Sequence, residues 1–118
     1  MEKIMDNKML FDKAQLLGRV DNDTVLVEQL MSLYIKQLSQ MIESLKEALV
    51  LEDKRQVLSL AHKIKGSSVT ICCQLISQKA AEIENHLIND NFNVAFIKDF
   101  ISQIEHDARQ FSSLLKDN

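Results

Sequence analysis

A helical pattern in the middle of the chain encloses a histidine and a glycine: Ala61-His62-Lys63-Ile64-Lys65-Gly66-Ser67-Ser68. Apolar residues recur around this segment at helical spacing, which predicts a helix that continues through the glycine. A glycine inside a helix costs roughly 1 kcal/mol relative to alanine, so its presence calls for a reason. Residues three and four apart share a helix face, so Lys65 and Gly66 both lie beside His62. The pattern suits a histidine that is reached from outside and holds an anion.

These eight residues resemble the signature of the histidine-containing phosphotransfer (HPt) domains, which reads roughly A-H-x-L-K-G-S-S or A. The resemblance extends over nearly the whole chain. Phe11-Asp12, Leu16-Leu17-Gly18-Arg19-Val20 and Asp23 are similar to the opening segment of the family, and Ala80-Ala81-Glu82-Ile83-Glu84 to its later one. We therefore expect a single HPt domain over residues 11–118, preceded by a flexible leader over residues 1–10.

The composition limits both the fold and the partners. The chain has 118 residues with no proline and only two glycines, so an all-α single domain is the natural prediction. The formal net charge is -3, with basic residues scattered among acidic ones, and this gives no electrostatic footprint for nucleic acid. The sequence shows no apolar run of membrane-spanning length and no signal peptide. We expect a soluble, cytoplasmic protein with no membrane partner.

Five amphipathic segments predict the architecture. A short helix over residues 11–20 precedes four long ones, which extend from the Asp21-Asn22-Asp23 turn to about residue 51, from Glu52-Asp53 to about residue 71, from residue 75 or 76 to about residue 89, and over about residues 94–115. Long amphipathic helices joined by short connections favour an antiparallel up-and-down four-helix bundle, with the short N-terminal helix as an extra element across its end.

Each long helix has one apolar stripe that should face the core. The stripes are Val27, Leu30, Tyr34, Leu38, Met41, Leu45 and Ala48; Val57, Ala61, Ile64, Ser68 and Ile71; Ile76, Ala80, Ile83 and Leu87; and Ile97, Phe100 or Ile101, Ile104, Ala108, Phe111 and Leu115. His62 is one position out of register with its stripe. It should therefore lie at the edge of the buried face, turned towards solvent.

The resemblance implies a chemical role for His62. HPt domains are phosphorylated on the ring nitrogen distal to the backbone, which implies His62 Nε2 as the nucleophile. The ring must be neutral to attack phosphorus, and an unperturbed imidazole with a pKa near ~6.5 is mostly neutral at pH 7. Lys65 is expected to stabilise the phosphoryl group, and Gly66 to leave steric access for a partner. Lys63 lies about 100° round the helix and should contribute to docking.

A further side chain should fix the imidazole's tautomer and orientation. In many HPt domains a polar residue on the following helix has this role, and its equivalent by spacing is Glu84. A carboxylate that accepts from Nδ1 would hold the proton there and leave Nε2 free to attack. His86 and His106 lack such surroundings, so we interpret them as polar surface or rim residues and expect no metal site.

The chain departs from the family's pattern after the signature. Many members have a glycine there, in a stretch like N-I-G-A, where this chain has Thr70-Ile71-Cys72-Cys73. Adjacent cysteines provide neither an ordinary disulfide framework nor metal-ligand spacing. We expect reduced, small core residues that keep a close helix contact, and a redox role for the pair is the alternative.

Two functions from different classes follow. In the first, His62 accepts a phosphoryl group from a receiver domain of a hybrid sensor histidine kinase and passes it to the receiver of a response regulator. Mg²⁺ then belongs to the receivers, and the chain needs no cofactor of its own. In the second, the chain is a helical adaptor, or degenerate HPt domain, that binds partners without phosphorylation. A metal-binding bundle is a third class, but the Glu-x-x-His pattern is missing.

The sequence has no glycine-rich nucleotide loop, so we expect neither ATP binding nor kinase activity. A monomer is expected. The chain can be a free-standing protein or the C-terminal domain of a hybrid kinase, and Met1 with its ten-residue leader favours the former.

Overall fold

The computed structural model describes residues 7–89 and 91–116. This part of the chain contains five α-helices and no strand: α1 (Lys13–Arg19), α2 (Thr24–Val50), α3 (Lys54–Thr70), α4 (Gln74–Ile88) and α5 (Val94–Lys116). α2 and α4 each pack against both α3 and α5, and α1 contacts α2. Because the connections are short, successive long helices are antiparallel. The predicted four-helix bundle with an extra N-terminal helix is confirmed.

Aspartate side chains mark the beginning of the first three helices. The Asp23 carboxylate accepts a hydrogen bond of 3.0 Å from the backbone N–H of Leu26 and so caps α2 at the end of the Asp21-Asn22-Asp23 turn. Equivalent bonds at the other two helices join Gln15 N–H to Asp12 and Gln56 N–H to Asp53. Since the first N–H groups of a helix have no partner within it, these side chains determine where each helix begins.

The apolar stripes meet in one core. All the predicted positions of α3 and α4 are buried, and Ile101 rather than Phe100 is the buried alternative in α5. In α2, Leu30 and Met41 are only partly buried, while their neighbours Met31 and Ile42 belong to the core. A helix of 27 residues that contacts α1, α3 and α5 buries more than one stripe, so a single stripe does not describe all of its buried positions.

Residues 7–10 contact the bundle. Leu10 is buried, and the backbone carbonyl of Met9 accepts a hydrogen bond of 2.7 Å from the N–H of Leu75. Residues 1–6 of the predicted leader lie outside the described residues. The packed part of the chain therefore begins before residue 11.

The turn between α3 and α4 contains the two cysteines, both buried. Cys72 has a φ of 67°, in the left-handed region. Its N–H donates to Val69 O, and the N–H of Cys73 donates to Ser68 O, as in a Schellman motif. Glycine is usual at this position because it has no Cβ. The left-handed backbone conformation at Cys72 is therefore one that glycine would adopt without strain.

Within the described residues, none of the helices combines the length and apolar composition that a membrane crossing requires.

Candidate functional site

His62 lies near the middle of α3, at the edge of its buried face. Its neighbour Ala61 is fully buried, and so is Ile64. The side chain of His62 is 67% exposed, as predicted from the register of the stripe. The imidazole can therefore be reached from solvent, and its orientation must come from a specific contact.

Glu84 of α4 makes that contact. Its Oε2 lies 2.7 Å from His62 Nδ1, and its Oε1 lies 2.6 Å from Lys65 Nζ. One carboxylate thus bridges the histidine and the lysine of the facing helix. The hydrogen bond from Lys65 and then that from His62 lower the pKa of the Glu84 carboxyl below its usual range, although burial of the carboxyl opposes them. Glu84 is therefore ionised at neutral pH.

The ionised carboxylate determines the tautomer of the neutral ring. A carboxylate only accepts hydrogen bonds, so His62 Nδ1 must carry the proton at this distance. Nε2 of the neutral ring then has its lone pair available. The arrangement provides an exposed nitrogen nucleophile with a fixed proton on the other ring nitrogen.

Lys65 and Gly66 flank the imidazole differently. Lys65 lies on the predicted face, but its ammonium group contacts Glu84, a partner that the sequence did not signal. Gly66 is exposed, and a Cβ added to it would meet no atom within 4 Å outside its local backbone. Glycine here is thus not required by packing within the domain. Lys63 is exposed, on another face of α3.

Three further hydrogen bonds hold α3 in place around the site. Ser77 of α4 donates from Oγ to the backbone carbonyl of Lys65 over 3.2 Å. Arg19 of α1 donates to the carbonyl of Thr70 over 3.0 Å, near the end of the helix where carbonyl groups lack partners. Tyr34 of α2 and Ser68 share a buried hydrogen bond. Each neighbouring element therefore restrains the helix that carries His62.

An apolar groove of about 280 Å³ opens between α1, α2 and α3. Leu33 lies on its rim and is 52% exposed. Ser67 lines the groove five residues after His62, which corresponds to about 7–8 Å along the helix axis. The other lining residues are Leu16, Leu30, Tyr34, Gln37, Thr70 and Ile71.

The other histidines do not join the site. His86 Nε2 accepts a hydrogen bond of 3.0 Å from the backbone N–H of Asn93, and its ring stacks on Phe96 with 4.2 Å between centroids. It connects the end of α4 to the beginning of α5, a role that only the fold reveals. His106 is exposed on α5. No cluster of three or more His, Cys, Asp or Glu side chains suited to a metal ion occurs within residues 7–89 and 91–116.

The cysteines are poorly suited to nucleophilic chemistry. Burial raises the pKa of the Cys73 thiol to about 12, and it raises the pKa of Cys72 as well. Because the thiolate is the reactive form of cysteine, both thiols are inert at neutral pH.

Comparisons with known proteins agree with the fold and the motif. The sequence matches the family model of the Hpt domain over residues 29–111. The structure is similar to the HPt domain of a sensor hybrid histidine kinase from Shewanella, with a TM-score of 0.76, 19% identity and 94% of each chain covered. No curated protein matches the sequence significantly. The matched range includes the histidine on α3 and the glutamate that it contacts on α4.

Proposed function

Because the chain belongs to the Hpt domain family, we propose that it is the phosphocarrier of a His-Asp phosphorelay. His62 Nε2 accepts a phosphoryl group from the aspartyl phosphate of one receiver domain and passes it to the aspartate of another. The observation that carries this proposal is the 2.7 Å contact between Glu84 and Nδ1 of an otherwise exposed imidazole. Such a contact leaves the outer nitrogen free and correctly oriented for attack.

The proposed transfer needs no general base from this chain. The lone pair of Nε2 forms the bond to phosphorus while the bond from phosphorus to the receiver's aspartyl oxygen breaks, and aspartate leaves as a carboxylate. The proton on Nδ1 stays in its hydrogen bond to Glu84. The second transfer reverses these steps on another receiver. Positioning and electrostatic stabilisation supply most of the catalysis in phosphoryl transfer.

In this proposal the partners provide the remaining chemistry. Mg²⁺ and most of the catalytic apparatus belong to the receivers, and the chain neither binds ATP nor acts as a kinase. Lys65 stabilises the phosphoryl group, Gly66 leaves room for the receiver's active site, and Lys63 contributes to docking. The groove rimmed by Leu33 is the surface that a receiver covers. We propose receivers of a hybrid sensor histidine kinase and of response regulators as partners of a cytoplasmic monomer, with neither nucleic acid nor membrane involved.

The competing class is an adaptor that binds partners without phosphorylation. An adaptor needs an interaction surface, but it has no use for an exposed imidazole with a fixed tautomer. The contacts of Glu84 with His62 and Lys65 therefore favour the carrier.

The test is transfer from a phosphorylated receiver in the presence of Mg²⁺, followed by intact mass before and after acid treatment. We expect the wild type and a His106→Gln control, which alters an exposed histidine on α5, to gain one acid-labile phosphoryl group. His62→Gln should gain none. No gain from several receivers would support the adaptor, and an acid-stable gain would indicate a serine or threonine instead of His62.

A further inference from the structure

Glu84 also contacts Lys65, and orienting the imidazole does not require this second contact. Its Oε1 contacts the Lys65 ammonium at 2.6 Å while Oε2 contacts His62 Nδ1 at 2.7 Å. In this state Lys65 balances the charge of Glu84, and the neutral imidazole needs no counter-charge. Lys65, the cation one turn from His62 on the same helix face, is thus already paired with Glu84.

A phosphoryl group on Nε2 would change this charge balance. It brings up to about two negative charges to the helix face that Lys65 shares with His62. Lys65 then has two possible anionic partners, and it is already in contact with one of them, the Glu84 carboxylate. Any attraction between Lys65 and the phosphoryl group has to compete with the pairing of Lys65 to Glu84.

The proton on Nδ1 also affects how readily the phosphoryl group leaves Nε2. If Nδ1 remains protonated when Nε2 carries the phosphoryl group, the ring is cationic and neutral imidazole is the leaving group on transfer. If Nδ1 loses its proton, the leaving group is an imidazolide anion, which is far poorer. An ionised carboxylate 2.7 Å away favours the protonated ring.

We propose that Glu84 sets the lability of the phosphoryl group on His62, by keeping Nδ1 protonated and by competing with the phosphoryl group for Lys65. This inference rests on the proposed carrier function, and it assigns to the carboxylate an effect that an amide would not have. A glutamine could still accept a hydrogen bond from Nδ1 and orient the ring, but it carries no charge. Both effects of the carboxylate promote loss of the phosphoryl group.

The neighbouring helices leave this charge arrangement intact. On α5, which packs against α4, Asp107 is paired with Lys79 at 2.6 Å. On α2, which packs against α3, Tyr34 is a neutral phenol because burial raises its pKa. The groups that act on the Glu84 carboxyl are Lys65 and His62.

The experiment loads the full chain with phosphoramidate, a small donor that needs no partner, and follows phosphoryl loss by ³¹P NMR between pH 5 and 9. Glu82→Gln is the matched control because Glu82 is an exposed glutamate on the same helix. The rate of phosphoryl loss should fall as the pH rises, and we expect Glu84→Gln to lower the midpoint of this profile by about one pH unit. At a pH above both midpoints, Glu84→Gln should then lose the phosphoryl group about tenfold more slowly than the wild type. Glu82→Gln should match the wild type.

Lys65→Met is the second variant, and it removes the cation while it keeps the carboxylate beside Nδ1. We expect faster loss and a midpoint at higher pH. Identical profiles for the wild type and Glu84→Gln would overturn the inference and leave His62 as the carrier, and so would slower loss in Lys65→Met. Failure of phosphoramidate to load His62 in the wild type would overturn both the inference and the carrier function.

Discussion

Tyr34 of α2 and Ser68 of α3 share a hydrogen bond of 2.7 Å between the phenol oxygen and the serine Oγ, and both side chains are buried. The last residue of the signature segment, Ser68, therefore packs in the core, six residues after the exposed His62. We expect Tyr34→Phe and Ser68→Ala each to lower the free energy of unfolding by about 1–2 kcal/mol, because each leaves a buried hydroxyl without this partner. The double variant should lose less than the sum of the two. Urea denaturation measures all three, and strict additivity would contradict the coupling.

If the chain is the proposed carrier, substitutions at Gly66 should affect folding and docking differently. A Cβ at this position meets open space, so Gly66→Ala should raise the free energy of unfolding by about 1 kcal/mol through helix propensity. Gly66→Leu should fold as well but slow transfer from a phosphorylated receiver by about 100-fold, because a bulky side chain misplaces the two active sites. Loading by phosphoramidate is the control and should be unchanged. Wild-type transfer by Gly66→Leu would remove the steric role.

The ion pairing of Glu84 predicts a specific loss of stability in acid. Contacts with Lys65 and His62 depress the pKa of this carboxyl in the folded state. Its contribution is therefore complete above the unfolded value of about 4.3 and disappears as the pH falls through the lower folded value. We expect the free energy of unfolding of the wild type to exceed that of Glu84→Gln by about 1–3 kcal/mol at pH 7. The two free energies should converge towards about pH 3. Urea titrations at several pH values test this, and a constant difference would contradict it.

Two residues at helix ends have a left-handed backbone conformation, and we expect their substitution by glycine to change stability by different amounts. Glu52, after α2, has a φ of 53° and is exposed, so Glu52→Gly should stabilise the domain by about 1 kcal/mol. Cys72, after α3, has a φ of 67° but a buried side chain. Cys72→Gly gains the same relief and loses apolar burial, so its net effect should be smaller. Thermal unfolding of both variants tests this comparison, and an equal or larger gain from Cys72→Gly would contradict it.

The pair formed by Lys79 of α4 and Asp107 of α5 predicts a large stability effect away from the site. Their side chains are 19% and 3% exposed, and the contact measures 2.6 Å. Lys79→Met leaves an uncompensated buried carboxylate, which should cost about 3–5 kcal/mol. Lys98→Met on the exposed face of α5 is the control and should change little. A small effect of Lys79→Met would contradict the prediction that Lys79 is the partner that compensates the buried Asp107 carboxylate.

The sequence predicts what depends on local periodicity. The α3 stripe is correct at every position, because a regular helix determines which residues share a face and so places His62 at the edge. The equivalence of Glu84 to the orienting residue came from the family resemblance, and the structure brings this side chain to His62.

Relationships across the bundle could not be read from the sequence. The contact between Lys65 and Glu84, like that between Tyr34 and Ser68, depends on the rotation and relative height of two packed helices, which no local pattern records. The left-handed conformation of Cys72 carries no signal either, because the residue type found there does not favour it. These features set the electrostatics of the site and the geometry of its turn.

The hydrogen bond between His62 and Glu84 closes a stretch of only 22 residues, within two consecutive helices joined by a three-residue turn. Short loops lose little chain entropy on closure, and contacts between residues near in sequence form fast. During synthesis, every residue of the site leaves the ribosome before the first residue of α5. The chemistry of this domain is thus encoded in a helical hairpin that we expect to take shape early, while the last helix completes the core that keeps it in place.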